Sequence, residues 1–168
     1  VHKAMQAMVV QRLILREYIA LVEGRVRDDE GVVDIPIGPD TASPVRLKKA
    51  CRADGRASVT RYEVVERLPG HTLLRVMPLT GRQHQIRVHL AAIGHPVLGD
   101  LLYKDERLFL AALEPGAAPP VRHWLHARRA SFAHPVTGAP VVIVAPMPAD
   151  LELIVGSLRE GGVEARPG

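Results

Sequence analysis

The fold of this chain is organised around residues 79–96, whose sequence is LTGRQHQIRVHLAAIGHP. Apolar residues in this stretch recur at i, i+4 and i+7, the spacing that is typical of an amphipathic helix. They are Ile86, Leu90 and Ile93. Just before the stretch, Leu74, Val76 and Pro78 occupy every second position, as in an edge strand. The sequence therefore predicts a strand that runs into a helix.

The ends of this helix are marked by residues with special backbone or capping properties. We expect Thr80 to cap the start of the helix and Gly81 to permit a close approach of another segment. Gly94, followed by Pro96, is expected to end the helix.

The polar face of the predicted helix has two interpretations. At 100° per residue, His84, Arg87 and Ala91 share a face away from the apolar stripe, so they can reach a ligand. Alternatively, this face is simply solvated, with surface ion pairs worth less than about 1 kcal/mol each. A metal site is disfavoured because His84 and His89 are five residues apart and cannot bind one ion from a helix or a strand.

Composition predicts one soluble domain. The chain has 168 residues, of which 47% are hydrophobic, and its 22 Lys and Arg against 18 Asp and Glu give a net charge of +4. This basic excess is compatible with a polyanionic partner without proving one. The single cysteine, Cys51, excludes an internal disulfide framework and favours a reducing, cytoplasmic location. We find neither a signal-peptide layout nor an apolar run near the roughly 20 residues that span a bilayer.

The rest of the chain shows alternating helical and strand patterns. Residues 2–12 predict a short helix, and residues 13–24 a central strand on which Arg16 and Tyr18 share a face. Residues 59–66 and 72–79 predict an antiparallel hairpin, and residues 151–158 a terminal helix followed by a frayed tail. A basic stretch lies between these elements, and it is either a solvated loop or a phosphate contact. Its members are Arg46, Lys48, Lys49, Arg52 and Arg56.

The central stretch also resembles a known sequence motif. Residues 80–90, then residues 94–100 and Tyr103, closely resemble the third motif of the RluA-type RNA pseudouridine synthases. Further similarity extends from Met5 to Leu151. This resemblance implies an α+β fold with a mixed, mainly antiparallel sheet and flanking helices. It places a partial catalytic domain at residues 1–158 and leaves residues 159–168 as the tail.

The same resemblance implies an activity and a set of site residues. Members of the family isomerise uridine to pseudouridine in RNA without a cofactor or metal. By motif position, Arg87 pairs with the catalytic aspartate and Tyr18 contacts the target uridine. Arg82, His84, Arg16 and Gln85 are expected to bind the substrate. The implied partner is structured ribosomal or transfer RNA, and we expect a monomer that has no membrane contact.

One element of the family pattern is absent from residues 1–168. The catalytic aspartate belongs to a His-Arg-Leu-Asp motif, which in the family lies shortly upstream of the first helix seen here. Carboxylates such as Asp34, Asp54, Asp100 and Asp105 lie in other contexts. We therefore expect Arg87 to have no anionic partner from this chain.

Three hypotheses remain open. The first is a synthase catalytic domain whose N-terminal portion is missing from this sequence. The second is an inactive, RNA-binding paralogue. The third, an unrelated α/β domain with a coincidental motif, is disfavoured by the collinear matches on both sides of the motif.

Overall fold

The computed structural model describes residues 2–11, 13–113 and 122–161. The elements in chain order are α1 (His2–Val10), β1 (Leu15–Glu23), β2 (Glu30–Asp34), β3 (Ile37–Pro39), β4 (Lys49–Cys51), β5 (Val59–Leu68), β6 (His71–Pro78), α2 (Gln85–Ala92), α3 (Leu101–Lys104), α4 (Glu106–Ala111), β7 (Leu125–Ala133), β8 (Pro140–Val144) and α5 (Ala149–Gly161).

A six-stranded sheet forms the framework of the described residues. Its strand order is β2-β5-β6-β1-β7-β8, and every neighbouring pair is antiparallel. Strands β3 and β4 form a separate two-stranded sheet. The α+β class with a mainly antiparallel sheet is thereby confirmed, and β1 lies inside the sheet as its alternating pattern predicts.

The hairpin of β5 and β6 is confirmed with a tighter turn than the sequence indicated. The strands extend until Leu68 faces His71, so only Pro69 and Gly70 remain in the turn, and Gly70 supplies a φ of +68°. The prediction of an edge strand before the motif is wrong, because β6 pairs with β5 on one side and β1 on the other. Pro78 is tolerated there since it lies beyond the last residue that β1 pairs with.

Helix α2 packs the predicted apolar stripe into the core. Ile86 is 6% exposed and Leu90 is fully buried. The predicted end is confirmed, since Gly94 adopts a φ of +83° and its N–H donates to the carbonyl of Ala91. The predicted cap is wrong. The helix begins at Gln85, and the Thr80 hydroxyl instead donates to Gln85 Oε1 at 2.7 Å and accepts from the Val59 N–H at 3.0 Å.

The terminal helices both form. Helix α1 lies within the predicted residues 2–12. Helix α5 extends to Gly161, and Arg159 donates two arms of its guanidinium to the Glu66 carboxylate. The prediction of a frayed tail from residue 159 is therefore wrong for residues 159–161, while residues 162–168 lie outside the described part. None of the described helices is both long enough and apolar enough to cross a membrane.

Candidate functional site

The six side chains that the sequence singled out line one small cleft of about 160 Å³, which we call the central cleft. They are Arg16, Tyr18, Arg82, His84, Gln85 and Arg87. Strand β1 contributes the first two, and the segment from β6 into α2 contributes the rest. The pairing of β1 with β6 brings these two segments together, because Tyr18 lies opposite Val76.

Arg16 and Tyr18 enter the central cleft from β1. They are two residues apart on the strand, next to an irregularity in the pairing with β7 between Glu17 and Tyr18. Gly81 lies directly against Arg16, since a Cβ at this glycine would be 3.1 Å from Arg16 Nη2. The expected close approach at Gly81 is thus present. Within the described residues, neither the Arg16 guanidinium nor the Tyr18 hydroxyl makes a hydrogen bond.

Arg87 forms a two-point ion pair with Asp100. Its Nε lies 2.5 Å from Asp100 Oδ2, and its Nη2 lies 2.6 Å from Oδ1. The Asp100 side chain is 1% exposed and the Arg87 side chain 16% exposed. Our expectation that Arg87 lacks an anionic partner from this chain is therefore wrong. The partner was missed because it lies 13 residues further along the chain, at the N-cap of α3, and contacts the first turn of α2.

Tyr103 contacts both Arg87 of α2 and His84, which directly precedes that helix. The Cζ of Arg87 lies 4.8 Å from the Tyr103 ring centroid, a cation–π arrangement. The Tyr103 hydroxyl lies 2.8 Å from His84 Nδ1 and accepts a hydrogen bond from the Lys49 N–H at 3.1 Å. Tyr103 therefore ties α2 to strand β4. Sequence patterning alone gave it no role beyond its place in the motif.

The electrostatic setting of the cleft favours neutral aromatic side chains. Burial, reinforced by the positive charge of Arg87, lowers the pKa of His84 below its usual value. Burial raises the pKa of the Tyr103 hydroxyl. Both groups are therefore uncharged at neutral pH, and Arg87 with its neighbours Arg16 and Arg82 supplies the positive charge of the cleft.

Gln85 has a structural role in place of the RNA contact that we expected. Gln85 is only 4% exposed. Its Oε1 accepts from the Thr80 hydroxyl and from the Arg82 N–H, and its Nε2 donates to the Val59 carbonyl and the Thr60 hydroxyl. All four hydrogen-bonding positions of the amide are occupied, so none is left for a ligand.

A larger cavity of about 630 Å³ adjoins the central cleft, and we call it the basic groove. Its cationic lining residues are Lys49, Arg52, Arg56 and Arg82. The groove and the central cleft share Gly81 and Arg82. Arg52 is held by a two-point ion pair with Asp54, with both N–O distances at 2.8 Å. Part of the predicted basic stretch thus faces a cavity, whereas Lys48 is paired with Asp40 and Glu106.

The described residues contain no group of three His, Cys, Asp or Glu side chains that could hold a metal ion. Of their carboxylates, only that of Asp100 contacts Arg87. Asp54 pairs with Arg52, and Asp105 caps α4 by accepting from the N–H groups of Arg107 and Leu108.

Comparison with known proteins agrees with this architecture. The sequence profile of the family described as RNA pseudouridylate synthase matches residues 1–92. The chain is 39% identical to ribosomal large subunit pseudouridine synthase D of Xanthomonas campestris, over 97% of this chain and 50% of that protein. It is 38% identical to ribosomal large subunit pseudouridine synthase C of Vibrio vulnificus, over 92% of this chain and 47% of that protein.

The fold has a solved counterpart. Human RNA pseudouridylate synthase domain containing 1 superposes with a TM-score of 0.71 and 24% identity, over 98% of this chain and 71% of that chain. The chain spans about half the length of the curated relatives that it matches. With its fold, its motif and more than half of its length matching, the chain belongs to the RluA-type family of RNA pseudouridine synthases.

Proposed function

We propose that these residues form part of the catalytic domain of an RNA pseudouridine synthase, which isomerises uridine to pseudouridine. The observation that carries this proposal is the unpaired edge of Arg87. Asp100 occupies Nε and Nη2, and Nη1 makes no hydrogen bond within the described residues. This edge belongs to a side chain that lines the same cleft as Tyr18. A further carboxylate could bind there in the orientation that a nucleophile or base requires.

The reaction breaks the N1–C1′ bond of uridine and forms a C5–C1′ bond. The proton on C5 leaves to solvent and N1 gains a proton, so no oxidant or reductant is consumed. By resemblance to the family, an aspartate outside residues 1–168 supplies the carboxylate. The ring of Tyr18, half-buried at the cleft, is suited to stack on a uracil that has left the RNA helix.

RNA binding is supported by the cations that surround the cleft. Arg16 and Arg82 flank the position proposed for the base, and the basic groove continues from Arg82 towards Arg56. Extruding a base costs a few kcal/mol of stacking and pairing, which contacts to neighbouring phosphates and to Tyr18 would help to offset. Arg16 is a half-buried residue whose guanidinium has no partner in the described residues, so it is suited to a phosphate contact.

The names of two relatives support a proposal for the substrate class. Two similar proteins bear the name ribosomal large subunit pseudouridine synthase, which favours large-subunit ribosomal RNA over transfer RNA. We further propose that the protein acts as a monomer in the cytoplasm, where a free thiol such as that of Cys51 is stable.

The test is tritium release from total RNA labelled with 5-³H-uridine, because the isomerisation expels the C5 hydrogen. Two proteins are compared: the 168-residue chain, and the same chain with the coding sequence that precedes it in its reading frame. We expect release from the longer protein only. RNA binding by both without release from either would instead support the inactive RNA-binding paralogue. If the two proteins neither bind RNA nor release tritium, both hypotheses are contradicted.

A further inference from the structure

We propose that Asp100 is a positioning residue, which fixes one edge of the Arg87 guanidinium so that the other edge faces the central cleft. This inference rests on the proposed function, because in that function Arg87 binds a second carboxylate, that of the catalytic aspartate. A guanidinium presents two edges that can each bind a carboxylate at two points, Nε with Nη2 and Nη1 with Nη2. Asp100 binds the first of these edges.

The Nη1 atom of the free edge is not buried. No buried side-chain nitrogen or oxygen of the described residues lacks a hydrogen-bond partner. Because Nη1 of Arg87 has no such partner, it is not a buried atom, and the side chain lines the central cleft. Asp100 therefore leaves Nη1 as an accessible donor on a side chain that lines the central cleft.

Asp100 itself is anchored to the strand that carries Arg16 and Tyr18. The Leu98 N–H donates to the Leu21 carbonyl of β1 at 2.8 Å, and Val97 forms a bridge with Val22. The Asp100 N–H donates to the Val97 carbonyl at 3.0 Å. Through these contacts, the carboxylate that holds Arg87 keeps a fixed position relative to Tyr18.

The turn before Asp100 requires glycine. Gly99 adopts a φ of +77°, and a Cβ there would lie 2.8 Å from the Arg122 carbonyl oxygen. On the other side, Asp100 Oδ1 also accepts from the Tyr103 N–H at 3.3 Å, which caps α3. The Tyr103 ring covers the Arg87 guanidinium at 4.8 Å, so movement of the guanidinium towards that ring is blocked.

The informative variant is Asp100→Asn. Asparagine has nearly the same shape and can still accept from the Tyr103 N–H, so α3 keeps its cap. Its amide nitrogen, however, would take the place of Oδ2 and face the Nε–H donor of Arg87, so the pair is reduced to the single bond from Nη2 to Oδ1. We expect kcat to fall by about 10- to 100-fold in the active, longer protein, since misplacement by about 1 Å can have that effect. KM and the Kd for RNA should stay within about threefold, because Asp100 does not line the cleft.

Two further variants separate positioning from a general structural effect. Asp105→Asn is the matched control, because it makes the same change in the cap of the adjacent helix α4 without touching Arg87. It should leave kcat unchanged. In an Arg87→Lys background, Asp100→Asn should add no further loss, since lysine has no edge for Asp100 to orient.

Three results would overturn the inference. These are a kcat within about twofold of wild type for Asp100→Asn, a loss that is fully additive with Arg87→Lys, and a parallel fall of kcat, RNA affinity and melting temperature. The last of these would show that Asp100 only holds the fold together.

A measurement without activity keeps this test independent of the proposed function. In ¹⁵N NMR of the arginine side chains, the Arg87 Nε–H should exchange slowly with solvent because it donates to buried Asp100. It should become fast in Asp100→Asn and stay slow in Asp105→Asn. If no RNA is isomerised by any version of the protein, the proposed function fails, and the NMR result still decides whether Asp100 orients Arg87. An unchanged Nε–H exchange rate in Asp100→Asn would refute the inference.

Discussion

The Tyr103 hydroxyl and His84 Nδ1 are joined by a 2.8 Å hydrogen bond, and this contact determines which histidine nitrogen carries the proton in the neutral ring. The hydroxyl already accepts from the Lys49 N–H. Its own proton is therefore available for His84 Nδ1, which acts as the acceptor when the ring is neutral. Burial and Arg87 lower the pKa of His84, so the neutral ring is favoured. We predict that His84 carries its proton on Nε2 at neutral pH.

NMR of ¹⁵N-histidine protein can check this tautomer directly, because protonated and unprotonated ring nitrogens have well-separated shifts. His84 Nδ1 should appear unprotonated in the wild type. The Tyr103→Phe variant removes the hydroxyl but keeps the ring against Arg87, so it should shift the tautomer balance of His84 without unfolding the protein. A His84 that is charged at pH 7, or protonated on Nδ1, would contradict the prediction.

The Tyr18 hydroxyl offers a second prediction. Within the described residues it makes no hydrogen bond, whereas the ring packs against the buried core. Tyr18→Phe should therefore change the free energy of unfolding by less than about 0.5 kcal/mol, as expected for a substitution away from any satisfied polar group. Urea denaturation measures this, with Tyr18→Ala as the comparison that removes the ring. A loss of more than about 1.5 kcal/mol in Tyr18→Phe would show that the hydroxyl is structural.

Helix α2 and its C-terminal end were predictable because they depend on residues that are close together in the sequence. The period of Ile86 and Leu90 predicts α2, and the position of Gly94 predicts its end. The cap was not predictable, because His84 adopts a φ of 57°, a left-handed conformation that is uncommon for a residue other than glycine. This conformation carries the chain into the helix and leaves Thr80 free for Gln85.

Contacts between distant parts of the chain account for the other differences. Asp100 pairs with Arg87 only because the turn at Gly99 and the bond from Leu98 to β1 bring it back to α2. Gln85 has the polar character of a substrate-binding residue. Its burial depends on the Val59 and Thr60 positions of β5, which the hairpin sets. No spacing rule in the sequence indicates either contact.

Removal of the Arg87 side chain should separate catalysis from RNA binding. In the longer, active protein, Arg87→Ala should abolish tritium release because the incoming carboxylate loses its partner. RNA affinity should stay within severalfold, since Arg87 is only 16% exposed and its charge is largely matched by Asp100. Filter binding at constant salt measures the affinity. The fold must be checked by circular dichroism, because the variant leaves Asp100 buried without its cation. An equal loss of binding and activity in a folded variant would argue for a phosphate contact instead.

Arg16 is expected to behave in the opposite way. It lines the cleft and has no hydrogen-bond partner in the described residues, so it is suited to a phosphate. Arg16→Ala should weaken RNA binding at low salt and reduce the slope of log K against log salt by about 1. Arg159→Ala is the matched control, because this arginine pairs with Glu66 and lines neither the central cleft nor the basic groove. The same salt slope for the wild type and Arg16→Ala would exclude a phosphate contact by Arg16.

The stability of the protein should fall as the pH drops below the ordinary range of histidine, and His89 is one of the groups responsible. The residue is fully buried, with its Nε2–H donating to the Ile35 carbonyl at 2.9 Å and its Nδ1 accepting from the Thr60 hydroxyl. Burial lowers the pKa of His89 below the usual 6.5, and burial acts in the same direction on His84 and His123. Below pH 6.5 the unfolded chain therefore binds more protons than the folded one, which favours unfolding. The free energy of unfolding therefore has its full value, as far as these histidines are concerned, above about pH 7, and it decreases progressively as the pH falls from there.

Urea denaturation between pH 7.5 and 5.5 would measure this loss, at constant ionic strength and above the range in which carboxylates titrate. The slope is at most about 1.4 kcal/mol per pH unit for each proton taken up. His89→Gln removes one of the titrating groups while keeping an amide that can donate to Ile35. This variant should be less stable than the wild type at pH 7.5 but should show a shallower dependence on pH. If the two proteins lose stability in parallel as the pH falls, then His89 is not the group that takes up the proton on unfolding.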